Sequence, residues 1–210
     1  MLGYSSIASA VTPSGRAVVA WGTQDAGEGV ERPWQVRAAV LRAGARRFTK
    51  AQLLDPGRVG RPISGVSAAI TPGGTATVAW SGVVSGRRPF PVRVATAGSA
   101  GRFGATRQLA ANGAAMGVAS ARDGSTTVLW GSLAPDLHAM DDPYPEQLFA
   151  AHRAAGSPAF TSAEPVSPHA PSIAGGRLAI DPRSSRPAVL WTSGAYDDAA
   201  QTALYSTRNG

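Results

Sequence analysis

Four tryptophans that end similar short segments are the feature that most restricts the fold of this chain. The segments read AVVAW up to Trp21, TVAW up to Trp80, TVLW up to Trp130 and AVLW up to Trp191. A turn containing Gly, Pro, Ser or Asp precedes each segment, and a short apolar stretch precedes each turn. A repeat of this kind indicates units that bury their apolar surfaces against one another.

Each repeat predicts four short strands. A third element follows the tryptophan, as QVRAAVL, PVRVAT, QLFAAH and ALYST, and in three repeats a turn and a fourth element (AQLL, TRQLA, AEPVS) come next. These elements are short and rich in β-branched and small apolar residues, and no helical periodicity occurs. Four-stranded units that recur about every 50 to 60 residues predict an all-β fold, a β-propeller of four blades with four antiparallel strands each.

The repeats divide the whole chain, which we treat as one β-propeller domain or segment over residues 1–210. The blades run over about 5–54, 63–110, 116–166 and 178–210. The last blade is incomplete, because Gly210 stands where the other repeats turn toward Phe48, Phe103 and Phe160. We therefore expect four blades of a larger propeller, with a four-bladed ring that closes on a three-stranded blade as the alternative. An incomplete blade exposes a strand edge, which favours self-association.

The phrases TPSGRAVVAW and RFGATRQL resemble bacterial repeat β-propellers that are loosely grouped with sialidase-like and BNR-repeat proteins. The resemblance covers nearly the whole chain and implies a propeller in an extracellular or cell-surface setting, although this chain shows no signal peptide. The Asp box of true sialidases, Ser-x-Asp-x-Gly-x-Thr-Trp, does not occur, and no arginine triad stands out. Sialidase chemistry is therefore transferred to no residue.

Composition excludes several classes of protein. The chain has no Cys, which excludes disulfides, thiolate zinc sites and Cys nucleophiles. Its 25 Gly and 16 Pro in 210 residues exclude a coiled coil and a helical bundle. No apolar run approaches the roughly 18 residues that a membrane-spanning helix needs. We expect a chain that does not span a membrane.

Charge is divided between two faces. Because strands alternate in direction, the connections from second to third strands share one end of the blades with those from fourth to first strands; we call this end the loop face and the opposite end the turn face. Eight of the 13 carboxylates belong to the long second-to-third connections: Asp25, Glu28, Glu31, Asp136, Asp141, Asp142, Asp197 and Asp198. Ten arginines belong to the turn face: Arg16, Arg42, Arg46, Arg47, Arg102, Arg122, Arg153, Arg183, Arg186 and Arg208. Long loops on a rigid scaffold are the usual binding sites, so the acidic loop face is the predicted site.

Aromatic side chains that differ between repeats define the predicted ligand site. The residues are Trp34, Phe90, Tyr144 and Tyr196, together with Asp141, Asp142, Asp197 and Asp198. Carboxylates beside aromatic rings suit a carbohydrate or a protein ligand. Plain packing within the loops is the alternative for Trp34 and Phe90. Asp136, Asp141 and Asp142 also offer oxygen ligands to Ca²⁺, although hydration of a polar loop is the simpler interpretation and no known metal-loop spacing matches. No other cofactor is expected.

Three functions remain open. The first is a ligand-binding or protein-interaction module, which is not expected to be an enzyme. The alternative is a fragment of a secreted, sialidase-like glycan-processing hydrolase. The third is polyanion binding through the arginines of the turn face; nucleic acid itself is not expected, because these arginines lack interleaved aromatics and any nucleic-acid motif. The four repeated tryptophans are interpreted as packing between blades.

Overall fold

The computed structural model describes residues 6–24, 33–57, 63–82, 91–132, 145–170, 173–193 and 202–207, and these residues contain strands and turns but no helix. Sheet 1 contains β1 (Ile7–Val11), β2 (Ala17–Gln24), β3 (Trp34–Leu41) and β4 (Gln52–Asp55). Sheet 2 contains β5 (Ile63–Ile70), β6 (Ala76–Gly82), β7 (Val92–Ala97) and β8 (Arg107–Ala110). Sheet 3 contains β9 (Ala114–Ser120), β10 (Thr126–Ser132), β11 (Gln147–Arg153) and β12 (Glu164–Pro165). Sheet 4 contains β13 (Ile173–Ile180), β14 (Pro187–Ser193) and β15 (Thr202–Thr207).

Each sheet is an antiparallel meander in which neighbours in sequence are neighbours in space. The first strands β1, β5, β9 and β13 contact one another in that order, so consecutive sheets pack along their first strands. Pro165 lies in the outer edge strand of sheet 3, where a missing N–H is tolerated. This arrangement confirms the predicted fold class, an all-β partial β-propeller.

The turn between the first two strands is the same in three sheets. In sheet 1 the Thr12 N–H donates to the Arg16 carbonyl, and the Gly15 N–H donates to the Thr12 carbonyl. Gly15 has φ 76°, a left-handed conformation that glycine adopts without steric cost. Sheet 4 has a longer turn without glycine, and there Ser185 takes φ 57°. The repeated glycine in this turn is therefore a backbone requirement.

The apolar core consists of three clusters, one between each pair of consecutive sheets. Trp80, Trp130 and Trp191 are 1%, 2% and 4% exposed, and each packs in the cluster that its sheet shares with the preceding one. The prediction that all four repeated tryptophans occupy equivalent buried positions is thus confirmed for three. Trp21 is only half-buried, because no sheet precedes sheet 1 among the described residues.

Serine hydroxyls join the first strands of consecutive sheets. The Val66 N–H donates to Ser6 Oγ at 3.0 Å, and the Val118 N–H donates to Ser67 Oγ at 2.9 Å. These bonds satisfy partly buried backbone donors and tie each first strand to the next. The approach is close, since a Cβ on Gly65 would lie 2.6 Å from the Ala115 carbonyl oxygen. The small residues that recur in the first strands are required by this contact.

Candidate functional site

The strand order places the four long connections at one end of the sheets, as the sequence predicts. They connect β2 to β3, β6 to β7, β10 to β11 and β14 to β15. Most of the predicted ligand residues lie in these connections and fall outside the described residues: Phe90, Asp136, Asp141, Asp142, Tyr144, Tyr196, Asp197 and Asp198. Their roles in ligand or Ca²⁺ binding stay predictions. Among the described residues, no group of three or more His, Asp or Glu side chains is suited to hold a metal ion.

Trp34 is the one predicted ligand residue that the described part of the chain includes. It begins β3 opposite Gln24, it is 7% exposed, and it belongs to the core cluster between sheets 1 and 2. Gly57, at φ 67°, passes so near that a Cβ there would lie 1.3 Å from the Trp34 carbonyl oxygen. Trp34 therefore packs beneath the loop face in this structure, and its stacking against a ligand stays a prediction.

A buried carboxylate at the loop face joins sheets 1 and 2. Asp55, at the end of β4, is 6% exposed. Its Oδ1 accepts the Gly57 N–H at 2.9 Å, and its Oδ2 accepts Trp80 Nε1–H at 2.9 Å and pairs with the Arg93 guanidinium. Because Trp80 and Arg93 belong to β6 and β7, one side chain ties the outer strand of sheet 1 to the middle of sheet 2.

The bonds of Asp55 favour a structural role, in which it holds Gly57, Trp80 and Arg93 in place. Its oxygens already accept three donors, and charge-assisted bonds of this kind are among the stronger ones in proteins. The Arg93 side chain is 34% exposed, so the cluster presents a guanidinium to the solvent. Sequence reasoning missed both residues. The available signal was Asp55-Pro56-Gly57 at the end of the outer strand, where the second repeat has Ala110 and Ala111 followed by Asn112.

A cavity of about 330 Å³ lies between sheets 3 and 4. Its volume falls within the roughly 300–1,000 Å³ range of ligand pockets, and Glu164 is the charged residue of its lining. Its wall includes Thr127 and Ala150, which hold in sheet 3 the positions of Val18 and Ala38 in sheet 1. In the interface between sheets 1 and 2, Phe103 packs in the same core cluster as Val18 and Ala38. The cavity therefore lies where the interface between sheets 1 and 2 is filled by a side chain.

The turn face shows which arginines are available to a ligand. Seven of its described arginines are exposed: Arg42, Arg46, Arg47, Arg102, Arg122, Arg183 and Arg186. Arg208 lies outside the described residues. Arg153 is 5% exposed, donates to Thr126 Oγ1 at 3.0 Å and lies over the Phe160 ring, and its burial lowers the pKa of its guanidinium. Arg16 donates to the Gly73 carbonyl in the neighbouring turn. These two arginines therefore hold the fold together.

Two aspartates of the turn face stabilise turns. The Asp123 carboxylate accepts the Ser125 N–H at 2.8 Å, which lowers the pKa of Asp123. The Asp181 carboxylate accepts the Ser184 hydroxyl at 2.6 Å and the Arg183 N–H at 2.8 Å, and these bonds lower the pKa of Asp181. Both carboxylates stay negatively charged, but the exposed arginines of this face outnumber them, so its net charge is positive.

Comparison with known proteins adds to the description of the fold. No protein-family model matches the chain, and no curated protein matches it. The ectodomain of the parainfluenza virus 5 hemagglutinin-neuraminidase is similar with a TM-score of 0.54 at 8% identity, over 100% of this chain and 57% of that ectodomain. The polysaccharide lyase Uly1 aligns with a TM-score of 0.33 at 8% identity, over 96% of this chain and 57% of that enzyme.

The similarity to the viral ectodomain and the strand order define the fold. The chain is a partial β-propeller, and its fold is similar to that of a viral hemagglutinin-neuraminidase ectodomain, of which it spans 57% of the length. The sialidase-like part of the sequence resemblance thus has structural support at the level of the fold. No family match supports the BNR-repeat part. The described residues contain no apolar helix long enough to cross a bilayer.

Proposed function

We propose that this chain is a ligand-binding or protein-interaction segment of a β-propeller, and that its loop face takes a carbohydrate or a protein. The observation that carries the proposal is that four long connections leave the same end of four sheets and, with Glu146 just before β11, hold nine of the chain's 13 carboxylates. Scaffolds that position several loops together commonly use them for binding. We further propose an extracellular or cell-surface location, which rests on the sequence resemblance.

The described residues supply a firm support for these loops. Asp55 holds β6 and β7 near the connection between them through Trp80 and Arg93, and Trp34 anchors the start of β3 in the core between sheets 1 and 2. Loop ends held in this way lose less conformational entropy when a ligand binds. The support also explains why Trp34→Ala is a poor test of binding, because that substitution would remove a buried core residue as well as an aromatic ring.

The test uses substitutions in the loops that leave the described core untouched. Sialyllactose, maltohexaose and a tetralysine peptide are titrated separately and followed by isothermal calorimetry. Asp141→Asn and Tyr144→Phe should weaken the binding of at least one probe, while the double variant Arg46→Gln, Arg47→Gln on the turn face should leave it unchanged. The proposal fails if no probe binds, or if the loop variants bind every probe as tightly as the unmodified chain.

Calcium binding at Asp136, Asp141 and Asp142 is tested separately. Addition of CaCl₂ should raise the Tm of the unmodified chain, because a ligand that binds only the folded state stabilises it. Asp141→Asn should reduce the increase, and MgCl₂ at the same concentration should give a smaller one. An increase that persists in Asp141→Asn would place the ion elsewhere.

Similarity to a hemagglutinin-neuraminidase fold keeps the alternative function, a fragment of a secreted glycan-processing hydrolase, in consideration. It is tested with a fluorogenic sialoside, whose hydrolysis would favour the hydrolase over the binding module. Polyanion binding is tested with heparin. Binding that is lost in the variant Arg46→Gln, Arg47→Gln and falls steeply with salt would favour the turn face as the functional one.

A further inference from the structure

One face of sheet 1 exposes a row of large side chains. Backbone pairing places Ile7 opposite Trp21, Trp21 opposite Arg37, and Arg37 opposite Leu53, so these four residues cross all four strands on one face. Ile7 is 71% exposed and Leu53 is 48% exposed, while Trp21 and Arg37 are half-buried. Large apolar side chains that lie exposed on one sheet face are typical of an interaction site. We call it the open face of sheet 1.

The equivalent face of sheet 2 is covered. There the row runs from Val66 through Trp80 and Arg93, and Val66 is 9% and Trp80 is 1% exposed, because sheet 1 packs against them. The phenylalanine of the turn after the third strand behaves in the same way. Phe103 of the second repeat is 8% exposed in this interface, whereas Phe48 of the first repeat is 46% exposed. The open face therefore has the composition of an inter-sheet interface that lacks its partner.

A polar pair on the open face indicates the chemistry of the missing partner. In sheet 2, Trp80 and Arg93 both donate to Asp55, which ends the outer strand of sheet 1. In sheet 1, Trp21 and Arg37 occupy the same two positions. The Arg37 guanidinium donates to Gln35 Oε1 at 3.2 and 2.9 Å, and within the described residues it forms no ion pair.

We propose that the open face of sheet 1 is the docking surface for a further four-stranded blade of the same propeller, whose outer strand ends in a carboxylate. That carboxylate takes the position that Asp55 takes against sheet 2 and accepts Trp21 Nε1–H and the Arg37 guanidinium. The contact continues, by one more repeat, the interface that already joins each described sheet to the next.

Sheet 4 of a second copy fits this surface less well. One position of the first strand lies opposite the residue that precedes the repeated tryptophan. In sheets 1, 2 and 3 this position is held by Ala8, Ser67 and Gly117. A small residue is needed there, since a Cβ on Gly117 would lie 3.2 Å from Leu178 Cβ of the following sheet. Sheet 4 has an exposed arginine, Arg177, at this position. A further blade of the same propeller is thus favoured over head-to-tail pairing of two copies.

The test supplies such a blade in tandem. Residues 1–62, which include sheet 1 and its Asp55, are fused to the N-terminal end of residues 6–210, and Trp21 of the added copy is changed to Phe. The original Trp21 is then the half-buried tryptophan that acrylamide quenches, since the other tryptophans are at most 7% exposed. If the added blade docks, the quenching constant should fall by about twofold or more relative to the unmodified chain, because the ring leaves the solvent.

The matched control carries Asp55→Asn in the added blade alone. In this control the original Trp21 should be quenched more than in the tandem that keeps Asp55. A second variant changes Arg37→Gln in the original sheet 1; it should lower the Tm of the tandem but leave that of the chain without the added blade unchanged. Equal quenching in both tandems would overturn the requirement for a carboxylate. Quenching as strong as in the unmodified chain would overturn the docking itself. A fall in Trp21 quenching as the unmodified chain is concentrated, with a doubling of mass in light scattering, would assign the face to a second copy instead.

Discussion

Removing the Asp55 carboxylate by Asp55→Ala should weaken the contact between sheets 1 and 2. The substitution leaves Trp80 Nε1–H, in a side chain that is 1% exposed, without its acceptor at 2.9 Å. A buried donor left unsatisfied costs about 1–3 kcal/mol. The bond from Gly57 is lost as well, while the Arg93 pair adds less, because its guanidinium is partly exposed and screened by solvent. We expect the free energy of unfolding to fall by about 3 kcal/mol.

Urea unfolding followed by tryptophan fluorescence and by circular dichroism measures this loss. Asp55→Asn, which keeps one acceptor oxygen of similar shape, should lose less than Asp55→Ala. Asp181→Ala is the matched control, because that carboxylate accepts hydrogen bonds from Arg183 and Ser184 of its own turn, and it should have a much smaller effect. A loss below about 1 kcal/mol for Asp55→Ala, or one equal to that of Asp181→Ala, would refute the assignment of Asp55 as the link between the sheets.

Three further predictions concern single side chains. Trp80→Ala should cost about 3–5 kcal/mol of unfolding free energy by cavity formation, and Trp21→Ala about half as much; equal losses in urea unfolding would contradict the difference in their burial. The Thr77 hydroxyl is buried and has no hydrogen-bond partner in the described part of the chain, so Thr77→Val should leave the Tm unchanged or raise it. Thr126→Val, which removes the acceptor of Arg153, should lower the Tm. Because the folded pKa of Asp123 lies below its ordinary value of 3.8, its carboxylate stabilises the fold above that pH and ceases to do so as the pH falls through the folded pKa. The Tm difference between the unmodified chain and Asp123→Ala should therefore shrink from pH 7 to pH 3, and a constant difference would contradict this sign.

The sequence predicts features that repeat, because a residue that recurs at one position of each repeat has the same packing or backbone role each time. Trp80, Trp130 and Trp191 could be placed in the core for this reason, and the glycine at Gly15 marked a turn by its recurrence. Features that depend on which sheet packs against which could not be predicted. The half-exposure of Trp21 and the bond from Trp80 to Asp55 follow from contacts between sheets, and no periodicity within one repeat encodes them.

The candidate site was predictable only in its location. Strand alternation sends the long connections to one end whatever their sequence, so the loop face followed from counting strands. The environment of Trp34 did not follow, since its absence from the third and fourth repeats was compatible with a ligand contact or with loop packing. The structure shows that its ring packs in the core between sheets 1 and 2, and its contact with a ligand stays a prediction. A residue present in one repeat can also complete the packing of that repeat alone.

The division of the core into three separate clusters determines how the chain should lose its structure. Each cluster joins two consecutive sheets, so each sheet is held only by its nearest neighbours. Stability in such an array is a sum of local terms, and unfolding begins where a unit has a neighbour on one side only. Sheet 4 has three described strands and an exposed Leu190 on its outer side, so it should detach first and leave the packing of sheets 1 to 3 in place.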